Sequence, residues 1–140
     1  MFRALYRYVA LALFCTGLSG AAGQSGKVLP DLAFTVGLGD TVTVDGEDLR
    51  IKFKAVSEDS RCPANAVCMW AGNARIELEI VVADGQPLSQ VLNTEDPAQA
   101  IRFRRHTLHL ISLQPARIDG VVLKPEDYRL TLILRRKSPG

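Results

Sequence analysis

Apolar and polar residues alternate with a period of two along most of the chain beyond residue 31. Leu32, Phe34 and Val36 alternate with Ala33 and Thr35, and Val42 and Val44 with Thr41 and Thr43. Leu49, Ile51, Phe53 and Ala55 alternate with Arg50, Lys52 and Lys54, and Ile76, Leu78 and Ile80 with Arg75, Glu77 and Glu79. Ile101 and Phe103, Leu108 and Leu110, and finally Leu130, Leu132 and Leu134 continue the pattern. Each run offers one apolar and one polar face, as strands do in antiparallel sheets that bury one side. No segment carries a sustained 3.6-residue stripe. Turn chemistry separates the runs at Gly37–Asp40, Asp45-Gly46 and Asp84-Gly85, with longer connections at residues 93–99 and 114–120.

The pattern predicts an all-β fold: an antiparallel β-sandwich or barrel of about seven or eight strands, in one domain over residues 31–140. Tyr128, just ahead of the terminal strand, favours a Greek-key-like sandwich, where such a tyrosine often bonds back across a corner. An ordinary half-buried strand tyrosine is the alternative. Gln24–Pro30 shows no alternation and is expected to be a flexible leader.

The first 23 residues follow another grammar. Arg3 and Arg7 precede an apolar run from Val9 to Leu18, and Ser19–Gly23 are all small. This is the order of a secretory signal peptide, cut near Ala22 or Gly23. Ten apolar residues fall short of the roughly 20 that a spanning helix needs. Cys15 follows Phe14, too bulky for a lipoprotein cleavage site. Of 17 basic residues, 15 acidic ones and three cysteines, the signal would remove two arginines and Cys15, leaving zero net charge and two cysteines. A neutral mature domain of about 117 residues is expected in the periplasm or outside the cell, touching the membrane only through the signal. Neutrality, and the lack of an aromatic platform for bases, argue against nucleic acid.

Both remaining cysteines fall in Glu58–Gly72, EDSRCPANAVCMWAG, where the alternation breaks. In an exported chain Cys62 and Cys68 are expected to form a disulfide, and the residues between them can turn the chain, Pro63 fixing φ and Asn65 tolerating a left-handed backbone. Structural zinc uses closer cysteine spacing and two further ligands. The only histidines, His106 and His109, fall on opposite faces of a regular strand. No metal and no cofactor is expected. Trp70 has two readings: a cover over the disulfide and the core edge, or an exposed anchor for a partner. Gly72 is expected to take a backbone shape that a Cβ would block. Asp59 is expected to bond loop amides, and Arg61 to pair with Glu58 or Asp59 at the surface, worth at most about 1 kcal/mol.

Glu58-Asp59-Ser60-Arg61-Cys62-Pro63 followed by Cys68-x-Trp70-Ala71-Gly72 resembles the signature of a family of small exported bacterial proteins, many of them lipoproteins. In that family the motif lies between two strands of a β-rich domain. The resemblance extends to Ala74–Leu78 and Tyr128–Leu132, but only the cysteine loop is specific. It implies fold and compartment and carries no activity. The chain departs from the lipoprotein members in lacking a lipobox.

No phosphate-binding glycine loop, G-x-S-x-G or HExxH motif occurs. Glu77 and Glu79 read as a solvated sheet face. Two basic clusters, Arg102/Arg104/Arg105 and Arg135/Arg136/Lys137, protect an edge, face Glu77 and Glu79, or meet an anionic envelope component. The reading that emerges is a noncatalytic binding module of the envelope, contacting an envelope protein or anionic component through Asp59, Arg61, Trp70 and Gly72. A hydrolase with an unrecognised site and a purely structural domain are the alternatives.

Overall fold

The computed structural model describes residues 24–137. The signal peptide expected at residues 1–23 lies outside them. Among the described residues nine strands form: β1 (Ser25–Val28), β2 (Ala33–Gly37), β3 (Thr41–Val44), β4 (Leu49–Asp59), β5 (Ala74–Val82), β6 (Leu88–Asn93), β7 (Ala100–Phe103), β8 (His106–Gln114) and β9 (Arg129–Arg136). A single 3-10 turn at Pro125–Asp127 leads into β9. The strands make a sandwich of two sheets, ordered β1-β3-β4-β5-β6 and β2-β9-β8-β7, and do not close into a barrel. The chain crosses between the sheets from β1 to β2, from β2 to β3 and from β6 to β7. With β2 lying beside β9, the second sheet has a Greek-key order read from the C-terminus.

The alternating residues point where their period says they should. Ile51, Phe53, Ile76, Leu78, Ile80, Leu108, Leu130, Leu132 and Leu134 are fully buried between the sheets. Burying each such side chain stabilises the fold by about 1.5–3 kcal/mol. Irregularities re-aim particular residues. Register shifts in β4 after Phe53 and after Val56 place Val56 opposite core residue Ile76, so Ala55 does not continue the buried row. They finish by pairing Asp59 with Ala74, which is fully buried. A carboxylate is thereby carried to the end of the core. In β8 an extra residue between Leu110 and Ser112 leaves Ile111 exposed and returns Leu113 to the interior.

The leader expectation is corrected. Residues 25–28 form β1, which pairs in parallel with β3 from Ser25↔Thr41 to Val28↔Val44. Backbone pairing drives this strand, because only Val28 of its four residues packs on the core. β1 also makes one pair of the first sheet parallel in an otherwise antiparallel arrangement.

Candidate functional site

The segment between β4 and β5 leaves the sheet and folds back over one end of the sandwich. Its base is a short ladder: Ser60 N–H donates to Asn73 O (2.6 Å), and Cys62 N–H donates to Ala71 O (2.6 Å). Gly72 closes the ladder with φ +69°, and a Cβ there would collide with the Ser60 carbonyl. The glycine is therefore required both by dihedral and by space, as expected. Above the ladder Cys62 and Cys68 form a disulfide, with Cα atoms 5.9 Å apart. Ala66 N–H donates to Pro63 O (3.1 Å) and tightens the loop. Asn65 does not adopt the left-handed backbone; its side-chain oxygen instead accepts the Asp119 N–H (2.8 Å). Together with Ala64 N–H donating to Arg117 O (2.8 Å), this ties the loop to the β8–β9 connection.

Beneath the loop sits a polar clasp that joins both sheets. Arg61 pairs side-on with Asp59, Nε to Oδ1 at 2.8 Å and Nη2 to Oδ2 at 2.7 Å. Its remaining donors reach the Leu113 carbonyl (2.7 Å) and the Pro115 carbonyl (3.0 Å). The Tyr128 hydroxyl donates to Asp59 Oδ2 at 2.9 Å. Arg117 Nη1 donates to the Arg61 carbonyl at 2.9 Å. Asp59 belongs to the first sheet, whereas Leu113 and Tyr128 belong to the strands and approach of the second.

The surface-pair expectation for Arg61 is thus corrected. The two side chains are only 15% and 9% exposed, because β4 delivers Asp59 opposite Ala74 and Arg61 folds inward over it. Burial alone would raise the Asp59 pKa; the hydrogen bonds from Arg61 and Tyr128 outweigh it and hold the carboxyl below its ordinary value. Burial, then the adjacent Asp59 carboxylate, pushes the Tyr128 phenol up. Tyr128 bonds across to the other sheet, to the Asp59 carboxylate rather than to backbone. The hydrogen bonds of Arg61 and Tyr128 thus tie the Asp59 end of β4 to the second sheet.

Trp70 does not cover the core edge. It is 76% exposed, and its loop neighbours Met69 and Val67 stand 92% and 103% exposed. Val121 and Val122, on the connection tied to this loop, are also exposed. The cavity beside Arg61 measures about 190 Å³, below the roughly 300–1,000 Å³ of small-molecule sites. Of the four residues singled out by sequence, Asp59, Arg61 and Gly72 are occupied internally and Trp70 alone faces outward. Nothing in the sequence marks Arg117, Leu113 or Pro115 as partners of this pair; Leu113 and Pro115 contribute only carbonyls, which leave no trace in side-chain chemistry.

Elsewhere, Glu79 pairs in register with Lys52 on the first sheet, while both basic clusters lie on or beside the second. Arg102 and Arg135 flank Thr107 from neighbouring strands, and Lys137 N–H donates to the Arg105 carbonyl (2.7 Å). The clusters therefore join each other at one end of the molecule instead of facing Glu77 and Glu79. His106 is buried and His109 lies on the opposite face. Among the described residues no group of three metal-ligating side chains converges, and no helix is long and apolar enough to cross a membrane. The disulfide is of the kind found in non-reducing compartments. Comparison with family models, curated proteins and solved structures found no match to this chain.

Proposed function

We propose that the chain is an exported, noncatalytic interaction module that docks another envelope protein through the crown of its cysteine loop. The observation that carries this reading is the exposure of Val67, Met69 and Trp70 together on a loop whose base is fixed. A buried ion pair, a disulfide, an obligatory glycine and bonds to a second loop all constrain that base. Large apolar and aromatic side chains are typical binding anchors, and a loop whose base is already tied down loses less backbone freedom on contact. The roles divide accordingly. Trp70 and Met69 touch the partner, and Asp59, Arg61 and Gly72 position them. The leader-like first 23 residues and the disulfide support export to an oxidising compartment.

The test is a photo-reactive amino acid placed at position 69 in the exporting cell. The reading expects one discrete adduct with another protein, lost in Trp70→Ser while the melting temperature stays unchanged. A probe at Arg102, on the other sheet, should give no such adduct.

A further inference from the structure

The opposite end of the sandwich carries a second feature, roughly 33 Å along β4 from Asp59. There the β3–β4, β5–β6 and β7–β8 turns enclose a cavity of about 470 Å³, in the range of small-molecule sites. Val82 and Phe103 give it apolar walls that continue into the core. The Phe103 ring stacks on His106, with centroids 5.8 Å apart. His106 is only 6% exposed, yet its Nε2 has no hydrogen-bond partner. The nearest charge is Glu47 Oε1 at 3.5 Å. Buried polar atoms without partners are rare and call for a reason.

The charges at the mouth are unevenly committed. Glu47 is already met by Arg136 at 2.9 Å. Arg105 stands farther off at 3.6 Å, with its side chain 67% exposed. Arg104 forms no ion pair among the described residues, and it occupies the turn with φ +48°. Ala83, on the facing turn, holds φ +53°. Residues other than glycine cost about 1–3 kcal/mol in this region and gather at ligand sites. Asp48 also lines the cavity, so the mouth is mixed in sign, with the two arginines as its least engaged cations.

We propose that this end binds a small organic anion, an acid group carried on an apolar ring. The acid group sits between Arg104 and Arg105, and the ring lies against Phe103 and Val82. Drawing Arg105 toward the ligand removes one of the charges around Glu47, whose carboxylate stands 3.5 Å from His106 Nε2. Ligand binding therefore registers at the His106 ring.

The probe is 8-anilinonaphthalene-1-sulfonate, titrated into the whole protein and followed by its fluorescence. One saturable site is expected, with movement of the His106 ring resonances in proton NMR. Arg104→Asn combined with Arg105→Gln should weaken binding about tenfold or more, two charged contacts being lost. Asparagine tolerates the left-handed backbone at position 104, and Arg105→Gln alone provides a second, milder variant. N-phenyl-1-naphthylamine, similar in its rings but without the sulfonate, should bind at least tenfold more weakly. Benzoate should displace the probe where equal inorganic phosphate does not. Trp70→Ser should leave the titration unchanged. The proposal is overturned by equal affinity in the arginine variants, by equal affinity for the uncharged amine, by phosphate matching benzoate, or by loss of binding in Trp70→Ser.

Discussion

Arg61→Met keeps most of the apolar stem of the side chain and removes the guanidinium. Four short side-chain hydrogen bonds disappear: two to Asp59 and one each to the Leu113 and Pro115 carbonyls. The Asp59 carboxylate, 9% exposed, is then left with the Tyr128 hydroxyl and a long 3.4 Å bond from the residue 61 amide. Stranding a buried charge in this way costs about 3–5 kcal/mol, whereas breaking an exposed pair costs about 0–1. For a domain of this size the larger figure lowers the melting temperature by on the order of 10–25 °C. The assay is urea unfolding of the oxidised protein, repeated for Asp59→Asn and for the double variant. Neutralising Asp59 removes the stranded charge, so the double variant should be more stable than the sum of the singles implies by about 2 kcal/mol. A cost below about 1 kcal/mol for Arg61→Met, or simple additivity in the cycle, would refute the buried clasp.

Two further outcomes follow from the same geometry. Gly72→Ala meets both a left-handed backbone and the Ser60 carbonyl, and should cost about 2–5 kcal/mol by chemical denaturation; a loss within about 0.5 kcal/mol would mean the ladder is not rigid. Stability should also depend on pH at both extremes. Asp59, held below its ordinary value, stabilises the fold above the usual carboxylate range, and that contribution is lost as pH falls through the lowered value. Tyr128, raised in the fold, contributes below the usual phenol value of about 10, and its share is lost as pH rises through the raised one. Urea midpoints across pH should therefore fall on both sides of neutrality, with Asp59→Asn blunting the acid arm and Tyr128→Phe the alkaline arm; unchanged arms in these variants would show that other groups carry them.

Much of the sandwich could be read from alternation, because its central strands bury one face cleanly. Leu130, Leu132 and Leu134, or Ile76, Leu78 and Ile80, leave little choice about which side is interior. The two edge strands of the first sheet were not legible. β1 has a single core-facing apolar residue, and in β6 only Leu92 is fully buried, so backbone pairing rather than pattern holds them. Bulges were equally silent: nothing in LRIKFKAVSED says that Val56 rather than Ala55 faces the core. In the loop, cysteine spacing and the glycine announced themselves, and the disulfide and the blocked Cβ are both present. The depth of the Asp59–Arg61 pair was hidden because the carbonyls that complete it lie 52 and 54 residues away in sequence. Whether Trp70 turned inward or outward depended on how the loop was tethered, and one tether is the Asn65–Asp119 bond, 54 residues apart in sequence.

The cysteine loop is proposed to meet a partner protein through Val67, Met69 and Trp70, which stand exposed above its fixed base. Photo-cross-linking from position 69 in the exporting cell tests it most directly, comparing the native loop with Trp70→Ser and resolving adducts by mass. One adduct is expected, its mass exceeding this chain by that of a different protein, and Trp70→Ser should abolish it at unchanged melting temperature. No adduct, an adduct with a second copy of this chain, or an adduct indifferent to Trp70 would contradict it.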